Sequence, residues 1–209
     1  MRHVLIPAIL LAALAQAAAA SDPAAFEWNK EKFDLVASGD PEAGKALAKE
    51  HKCKRCHNET GVSDDPDVPS IAGQRATYMY KQLSDFRNEL RDDRDMQKVA
   101  KKLSDQEMAD VSAWFAAQER PAMVGGEPML VVKICDSCHD KDIVEEDDHI
   151  EVAPILIGQI REYLENTMLA FKQADRSNDL FHRMQSVSHK LTDQEIKALA
   201  KYYGAPDAE

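Results

Sequence analysis

Residues 53–57 read Cys-Lys-Arg-Cys-His, and residues 135–139 read Cys-Asp-Ser-Cys-His. A Cys-x-x-Cys-His run is the attachment signature of c-type haem. The spacing follows from the chemistry, because positions i, i+3 and i+4 share one face of a helical turn. Two thiols and an imidazole can therefore meet one flat porphyrin. In this reading Cys53 and Cys56 form thioethers with the two vinyl groups of one haem, and His57 gives a ring nitrogen to its iron. Cys135, Cys138 and His139 do the same for a second haem. A structural zinc site takes its ligand pairs at short spacing, whereas these pairs are separated by most of a domain. A redox dithiol needs neither the histidine nor a duplicate. All 4 cysteines of the chain fall in the two motifs, which leaves none for disulfides. The expected cofactors are two covalently attached haem c groups.

The order of residues around the first motif recurs around the second. Pro154-Ile155-Leu156-Ile157-Gly158-Gln159 answers Pro69-Ser70-Ile71-Ala72-Gly73-Gln74, Tyr163 answers Tyr78, and Phe171 answers Phe86. Met184 answers Met96, and Thr192-Asp193-Gln194-Glu195 answers the capping box Ser104-Asp105-Gln106-Glu107. The offset grows from 82 at the cysteines to 85 and then 88, which places two three-residue insertions in loops. One lies around Glu145 to Asp148, the other just before Met184. In the first copy a helix is expected from Pro41, with Asp40 as its N-cap. A second is expected from Ala76 to about Glu89, and a last one from the capping box, carrying Met108, Val111, Trp114 and Phe115. Residues 21–37, with Phe26, Trp28 and Phe33, read either as an arm lying on the first domain or as a frayed terminus. A unit of this size has a small core, and a buried haem supplies the missing apolar surface. The fold class is all-α, two tandem domains each wrapped around one haem. The expected boundaries are 21–118 for the first domain (arm 21–37), 119–127 for a Pro-Gly-Gly linker, and 128–209 for the second.

Residues 1–20 read as a signal peptide, with a short basic start, an apolar run and Ala18-Ala19-Ala20 as the cleavage site. The run is too short to span a bilayer, so a periplasmic protein without stable membrane insertion is expected. The chain has a formal net charge of −11. Residues 21–118 hold 15 basic and 19 acidic side chains, and residues 119–209 hold 10 and 18. This field speaks against nucleic acid and for a redox protein partner with a basic docking surface.

A six-coordinate haem needs a second axial donor, and Met opposite His raises the potential. Met96 and Met184 each precede their capping box by eight residues, in an expected loop, and are the candidate ligands. Met79, Met108, Met129 and Met168 fall on expected helices and read as packing. His182 is the rival of Met184, since imidazole also ligates haem iron, but the first copy has Arg94 at that place. His51, His149 and His189 have no counterpart in the other copy and read as surface residues.

The two Cys-x-x-Cys-His motifs, the two P-x-x-x-G-Q-x-x-x-Y runs, and Met followed by L-[ST]-D-Q-E resemble tandem class I cytochromes c over residues 38–204. The first half is similar to the dihaem cytochrome c-4 family, and the second also to the cytochrome subunit of flavocytochrome c sulfide dehydrogenase. The resemblance implies a close crossing of first and last helices, with Gly44 against Trp114 or Phe115. The second domain departs from this pattern: its first helix begins after Gly126 and carries Met129, Val131 and Val132, with no matching glycine. The resemblance also implies contacts from Tyr78 and Tyr163 to haem propionates, with simple packing as the other reading.

An iron held by both His and Met has no open position, which leaves outer-sphere electron transfer. The favoured expectation is a periplasmic carrier, not an enzyme, between a dehydrogenase or quinol-oxidising complex and a terminal acceptor. A second is an electron-accepting subunit of a flavoprotein sulfide dehydrogenase or similar complex. A third, a dihaem enzyme such as a peroxidase or thiosulfate-oxidising cytochrome, requires an open iron site. Lys52, Lys54 and Arg55 surround the first attachment motif, and Asp136, Asp140 and Asp142 the second. The first haem is therefore expected to have the higher potential, since nearby positive charge opposes oxidation.

Overall fold

The computed structural model describes residues 26–125, 129–140 and 152–206. The expected signal peptide, the acidic insertion at 145–148, His149 and Asp142 lie outside the described residues. Among the described residues the secondary structure is helical, apart from one isolated bridge between Gln159 and Gly204.

The first half contains α1 (Lys30–Ala37), α2 (Pro41–Glu50), α3 (Lys54–His57), α4 (Ala76–Arg87), α5 (Arg94–Ala100) and α6 (Asp105–Ala116). Local chemistry sets their ends. Asp40 accepts hydrogen bonds from the backbone N–H groups of Glu42 and Ala43, and Pro41 occupies the first helical position. Ser104 and Glu107 form the complete capping box of α6. Helix α4 stops two residues short of the expected Glu89, which adopts a left-handed φ of 60°. Residues 26–37 lie on the domain as an arm: Trp28 stacks on Phe33 at 4.4 Å, and Phe26 meets Tyr80 edge-on at 6.3 Å.

Helices α2 and α6 cross at backbone contact. A Cβ built on Gly44 would sit 1.9 Å from the Asp110 carbonyl oxygen and 2.9 Å from the Trp114 Cβ. Only glycine permits that approach, so the expected partner of Gly44 is Trp114. Phe115 turns instead into a cluster with Ala48, Met79 and Val111.

The second half contains α7 (Leu130–His139), α8 (Arg161–Gln173), a 3-10 turn at Leu180–His182, α9 (Arg183–Ser188) and α10 (Asp193–Tyr203). The capping box at Thr192 and Glu195 is again complete. Helix α7 starts at Leu130, later than the Gly126 boundary suggested, with Met129 as its N-cap rather than inside it. It runs unbroken through the attachment motif, whereas in the first copy Lys52, at φ 59°, turns the chain between α2 and α3. The contact of α7 with α10 is made by side chains. Val132 and Tyr203 are both buried, and the Tyr203 hydroxyl donates to Asp136 Oδ1 at 2.6 Å. Burial, then this hydrogen bond to a carboxylate, pushes the Tyr203 hydroxyl far above its usual range.

The halves meet through contacts that cross in pairs. Gln159 Nε2 donates to the Ser70 carbonyl at 2.8 Å, and Gln159 Oε1 accepts from the Ser70 N–H at 2.8 Å. In mirror fashion Gln74 Nε2 donates to the Ile155 carbonyl at 3.0 Å, and its Oε1 accepts from the Ile155 N–H at 2.9 Å. Ser70 and Ile155 stand at equivalent positions, as do the two glutamines, so the interface approximates a two-fold axis. The loops that carry them are held by their own domains, because Gly73 N–H donates to Phe115 O and Gly158 N–H to Tyr203 O, each at 2.8 Å. Gly158, at φ 72°, could not be replaced: a Cβ there would lie 1.9 Å from the Pro121 carbonyl oxygen.

Candidate haem-binding sites

Each attachment motif ends in a buried histidine whose Nδ1 is tied to a backbone carbonyl. His57 Nδ1 lies 3.0 Å from the Pro69 carbonyl oxygen, and His139 Nδ1 lies 2.6 Å from that of Pro154. A carbonyl only accepts, so Nδ1 carries the proton in each ring, and Nε2 is the nitrogen able to ligate a metal. Burial pushes the His57 pKa below its ordinary value, against the raising effects of the Pro69 carbonyl and the Asp93 charge, and so favours the neutral ring a ligand must have. The four cysteines are unpaired. Burial raises the pKa of Cys53 and Cys135, so each thiol stays protonated. Among the described residues no group of three or more His, Cys, Asp or Glu side chains converges as a metal cluster, so the zinc reading finds no ligand set. The donor set fits two haem c groups.

Met96 and Met184 are not in loops. Each lies in the first turn of a short helix, Met96 on α5 and Met184 on α9. The reason is a cap that the sequence reading overlooked in the first copy: Asp93 accepts from the N–H groups of Asp95 and Met96. In the second copy Asp179 Oδ2 accepts from the Gln185 N–H at 3.1 Å. Both methionines are half-buried, and Met96 rests against the cluster of Val36, Tyr80 and Leu83. His182 is exposed, at a left-handed φ of 52°. Met79 and Met108 are buried in the core, and Met168 packs in the second one.

Tyr78 and Tyr163 meet at the domain interface, each facing an arginine of the other half. Arg91 Nη2 donates to the Tyr163 hydroxyl at 2.8 Å, and Arg176 Nη2 donates to the Tyr78 hydroxyl at 3.3 Å. Each arginine stacks on a phenylalanine of its own domain, Arg91 on Phe86 and Arg176 on Phe171, both at 4.6 Å. The arginines occupy equivalent positions, and Gln82, Asn178 and the buried Lys81–Asp85 pair complete the network. Burial raises the Tyr163 pKa, but the charges of Arg91 and Arg176 outweigh it and bring the hydroxyl down to about 8. A second basic spot lies nearby. Arg120 donates Nη1 to the Ile157 carbonyl at 3.0 Å, while its buried Nε and Nη2 have no acceptor among the described residues. Burial, then the charge of Arg75, lowers its pKa to about 10. Half-buried cations of this kind suit carboxylates such as haem propionates.

Cytochrome c4 from Thiocapsa roseopersicina is 33% identical over 178 residues, covering 78% of this chain and 91% of that protein. The chain belongs to the cytochrome c4 family. The cytochrome c domain model matches residues 41–118. The crystal structure of reduced recombinant cytochrome c4 from Pseudomonas stutzeri superimposes with a TM-score of 0.67 at 28% identity, over 79% of this chain and 98% of that one. The thiosulfate dehydrogenase from Marichromatium purpuratum matches with a TM-score of 0.60 at 25% identity, over 81% of this chain and 41% of that one. A thiosulfate dehydrogenase electron acceptor of Stutzerimonas stutzeri is 30% identical over 72% of this chain and 77% of its own length. As a cytochrome c4 relative, the protein is an all-α dihaem c-type cytochrome that transfers electrons and is not itself an enzyme.

The sequence reading found the attachment motifs and the register of the repeat, but not the work done by Pro69, Pro154, Arg91 and Arg176. The signal for the arginines was present, since they share the offset of the two tyrosines. They were passed over because charged loop residues ordinarily read as solvated surface.

Proposed function

We propose that this cytochrome c4 relative is a periplasmic carrier that passes electrons by outer-sphere transfer from a dehydrogenase or quinol-oxidising complex to a terminal acceptor. In this reading Cys53, Cys56 and His57 hold one haem with Met96 as the distal ligand, and Cys135, Cys138, His139 and Met184 hold the other. The two domains span 21–118 and 128–209. The haem iron, when bound, supplies one-electron exchange at each site. His57 and His139 present Nε2 in a fixed tautomer, and the two Pro carbonyls hold the rings against rotation. Met96 and Met184, half-buried on helical first turns, would hold the iron against small molecules when haem is bound. Arg91 and Arg176 neutralise carboxylates between the domains, and Tyr78 and Tyr163 hold the two guanidinium groups in place. The carrying observation is the pair of buried histidines with Nδ1 tied to a carbonyl in both copies. The acidic chain suits redox protein partners with a basic docking surface. Among the described residues no helix is long and apolar enough to cross a membrane.

The test is an oxidised spectrum of protein isolated from its native periplasm. A methionine-to-ferric-haem charge-transfer band with the intensity of two sites, insensitive to cyanide and carbon monoxide, supports the carrier. A missing band or ready ligand binding refutes the ligand set.

A second reading has its own support. Relatives named thiosulfate dehydrogenase electron acceptors, and the match to a thiosulfate dehydrogenase structure, favour service as the electron-accepting partner of a dehydrogenase of sulfur compounds. Co-purification with a catalytic chain decides between them, and a flavin signal in that chain would mark the flavoprotein version.

A further inference from the structure

The crossed glutamines touch the same peptide units that hold the histidines. The Pro69 carbonyl that accepts from His57 Nδ1 belongs to the peptide whose N–H is that of Ser70, and this N–H donates to Gln159 Oε1 at 2.8 Å. The chain of bonds is thus His57 Nδ1–H to Pro69 O=C–N–H of Ser70 to Gln159 Oε1. The second copy repeats it: His139 Nδ1–H to Pro154 O=C–N–H of Ile155 to Gln74 Oε1, with distances of 2.6 and 2.9 Å. His57, Ser70, Gln74, His139, Ile155 and Gln159 are all buried, so the bonds sit in a low dielectric. The amide orientation is fixed twice over, since Gln159 Oε1 also accepts from the Ile160 N–H and Gln74 Oε1 from the Arg75 N–H.

We propose that Gln159 and Gln74 are crossed positioning residues, each polarising the peptide that orients the haem-ligating histidine of the other domain. When the N–H of a peptide donates, its carbonyl oxygen becomes the stronger acceptor. A stronger acceptor draws the Nδ1 proton and makes the imidazole a more basic ligand, which favours the ferric state and lowers the potential. The potential of each site is therefore set partly from the opposite domain. The inference rests on His57 and His139 being iron ligands as proposed above.

The test uses the full dihaem chain and redox titration followed by NMR, with haem methyl signals assigned to each domain. Hyperfine-shifted ring protons of His57 and His139 in the unmodified protein check the ligand reading first. Their absence would refute that reading, and the crossed effect with it. With that reading established, Gln159→Leu is expected to raise the midpoint of the haem at Cys53 and Cys56 and leave the other in place. Gln159→Glu, measured at a pH where the new carboxyl is ionised, offers the Ser70 N–H a stronger acceptor and lowers the same midpoint. Gln74→Leu and Gln74→Glu do the same to the haem at Cys135 and Cys138. The His57 ring N–H should exchange with solvent faster in Gln159→Leu, because its own acceptor, the Pro69 carbonyl, is weakened. A merely structural role would loosen the interface and shift both haems together, and Leu and Glu would act in one direction. Either of those results, or no shift, overturns the proposal. Where one variant fails to fold, the other domain's pair carries the same test.

Discussion

Replacing Gly44 by alanine tests the packing that holds the first domain closed. The new Cβ would fall 1.9 Å from the Asp110 carbonyl oxygen, 2.5 Å from its carbon and 2.9 Å from the Trp114 Cβ. Two of these neighbours are backbone atoms inside α6, so no rotamer change relieves the contact. The helices must part by more than an ångström, which also strains the bond from the Asp40 N–H to Asp110 Oδ1 at 2.9 Å. Overpacking of a close contact costs about 3 kcal/mol. Alanine regains about 1 kcal/mol of helix propensity over glycine, for a net loss of about 2 kcal/mol. A domain of this size loses roughly 4–8 °C per kcal/mol. The expected result is a fall in the melting temperature of the first domain of about 8–16 °C, with the second unchanged. Differential scanning calorimetry of the dihaem protein, with haem absorbance to assign each transition, provides the assay. A change of less than about 4 °C, equivalent to under 1 kcal/mol, would refute the view that this crossing is a backbone contact only glycine allows.

Met96→Ala and Met184→Ala are each expected to abolish one site's charge-transfer band, lower one midpoint and admit cyanide at one site, whereas His182→Ala changes none of these. Optical titration at high pH should show one of the 5 tyrosines ionising near pH 8, and that step should vanish in Tyr163→Phe. An unfolded tyrosine holds its proton to about pH 10. The folded state releases it earlier, so stability should rise as pH rises from about 8 toward 10, with that gain smaller in Tyr163→Phe. The haem at Cys53 and Cys56 should have the higher potential, because Lys52, Lys54 and Arg55 adjoin it while Asp136 and Asp140 adjoin the other. The exposed pairing of Lys54 with Glu59 at 2.6 Å narrows that gap, and a site-resolved titration with the order reversed would reject the charge argument.

Much of this was legible in the chain because the signals are local. Asp40-Pro41, Ser104 to Glu107 and Thr192 to Glu195 specify helix starts through side chains within one turn, and the structure begins its helices there. The Gly44 crossing was legible through resemblance. The placement of Met96 in a loop was not correct, because the Asp93 cap starts a helix two residues earlier and a charged run such as Arg91 to Asp95 carries no hydrophobic period. The break at Lys52 was also hidden, since nothing in a lysine announces a positive φ. The crossed contacts of Gln74, Gln159, Arg91 and Arg176 join residues 72 to 94 positions apart, where no periodicity argument reaches.

A surface that docks against its own copy is constrained twice by every substitution, because one change appears on both sides of the contact. Joining the two copies in one chain lifts that constraint, and each side can then change alone. The near two-fold interface records such freedom. Ser70 faces Gln159 where Ile155 faces Gln74, Arg75 stands where the second copy has Ile160, and Lys81 where it has Asn166. The backbone bonds of the glutamines survive all three differences, since they read main-chain groups and not side chains. Two electron sites that began as equals can in this way be set to different tasks without giving up the joint that holds them together.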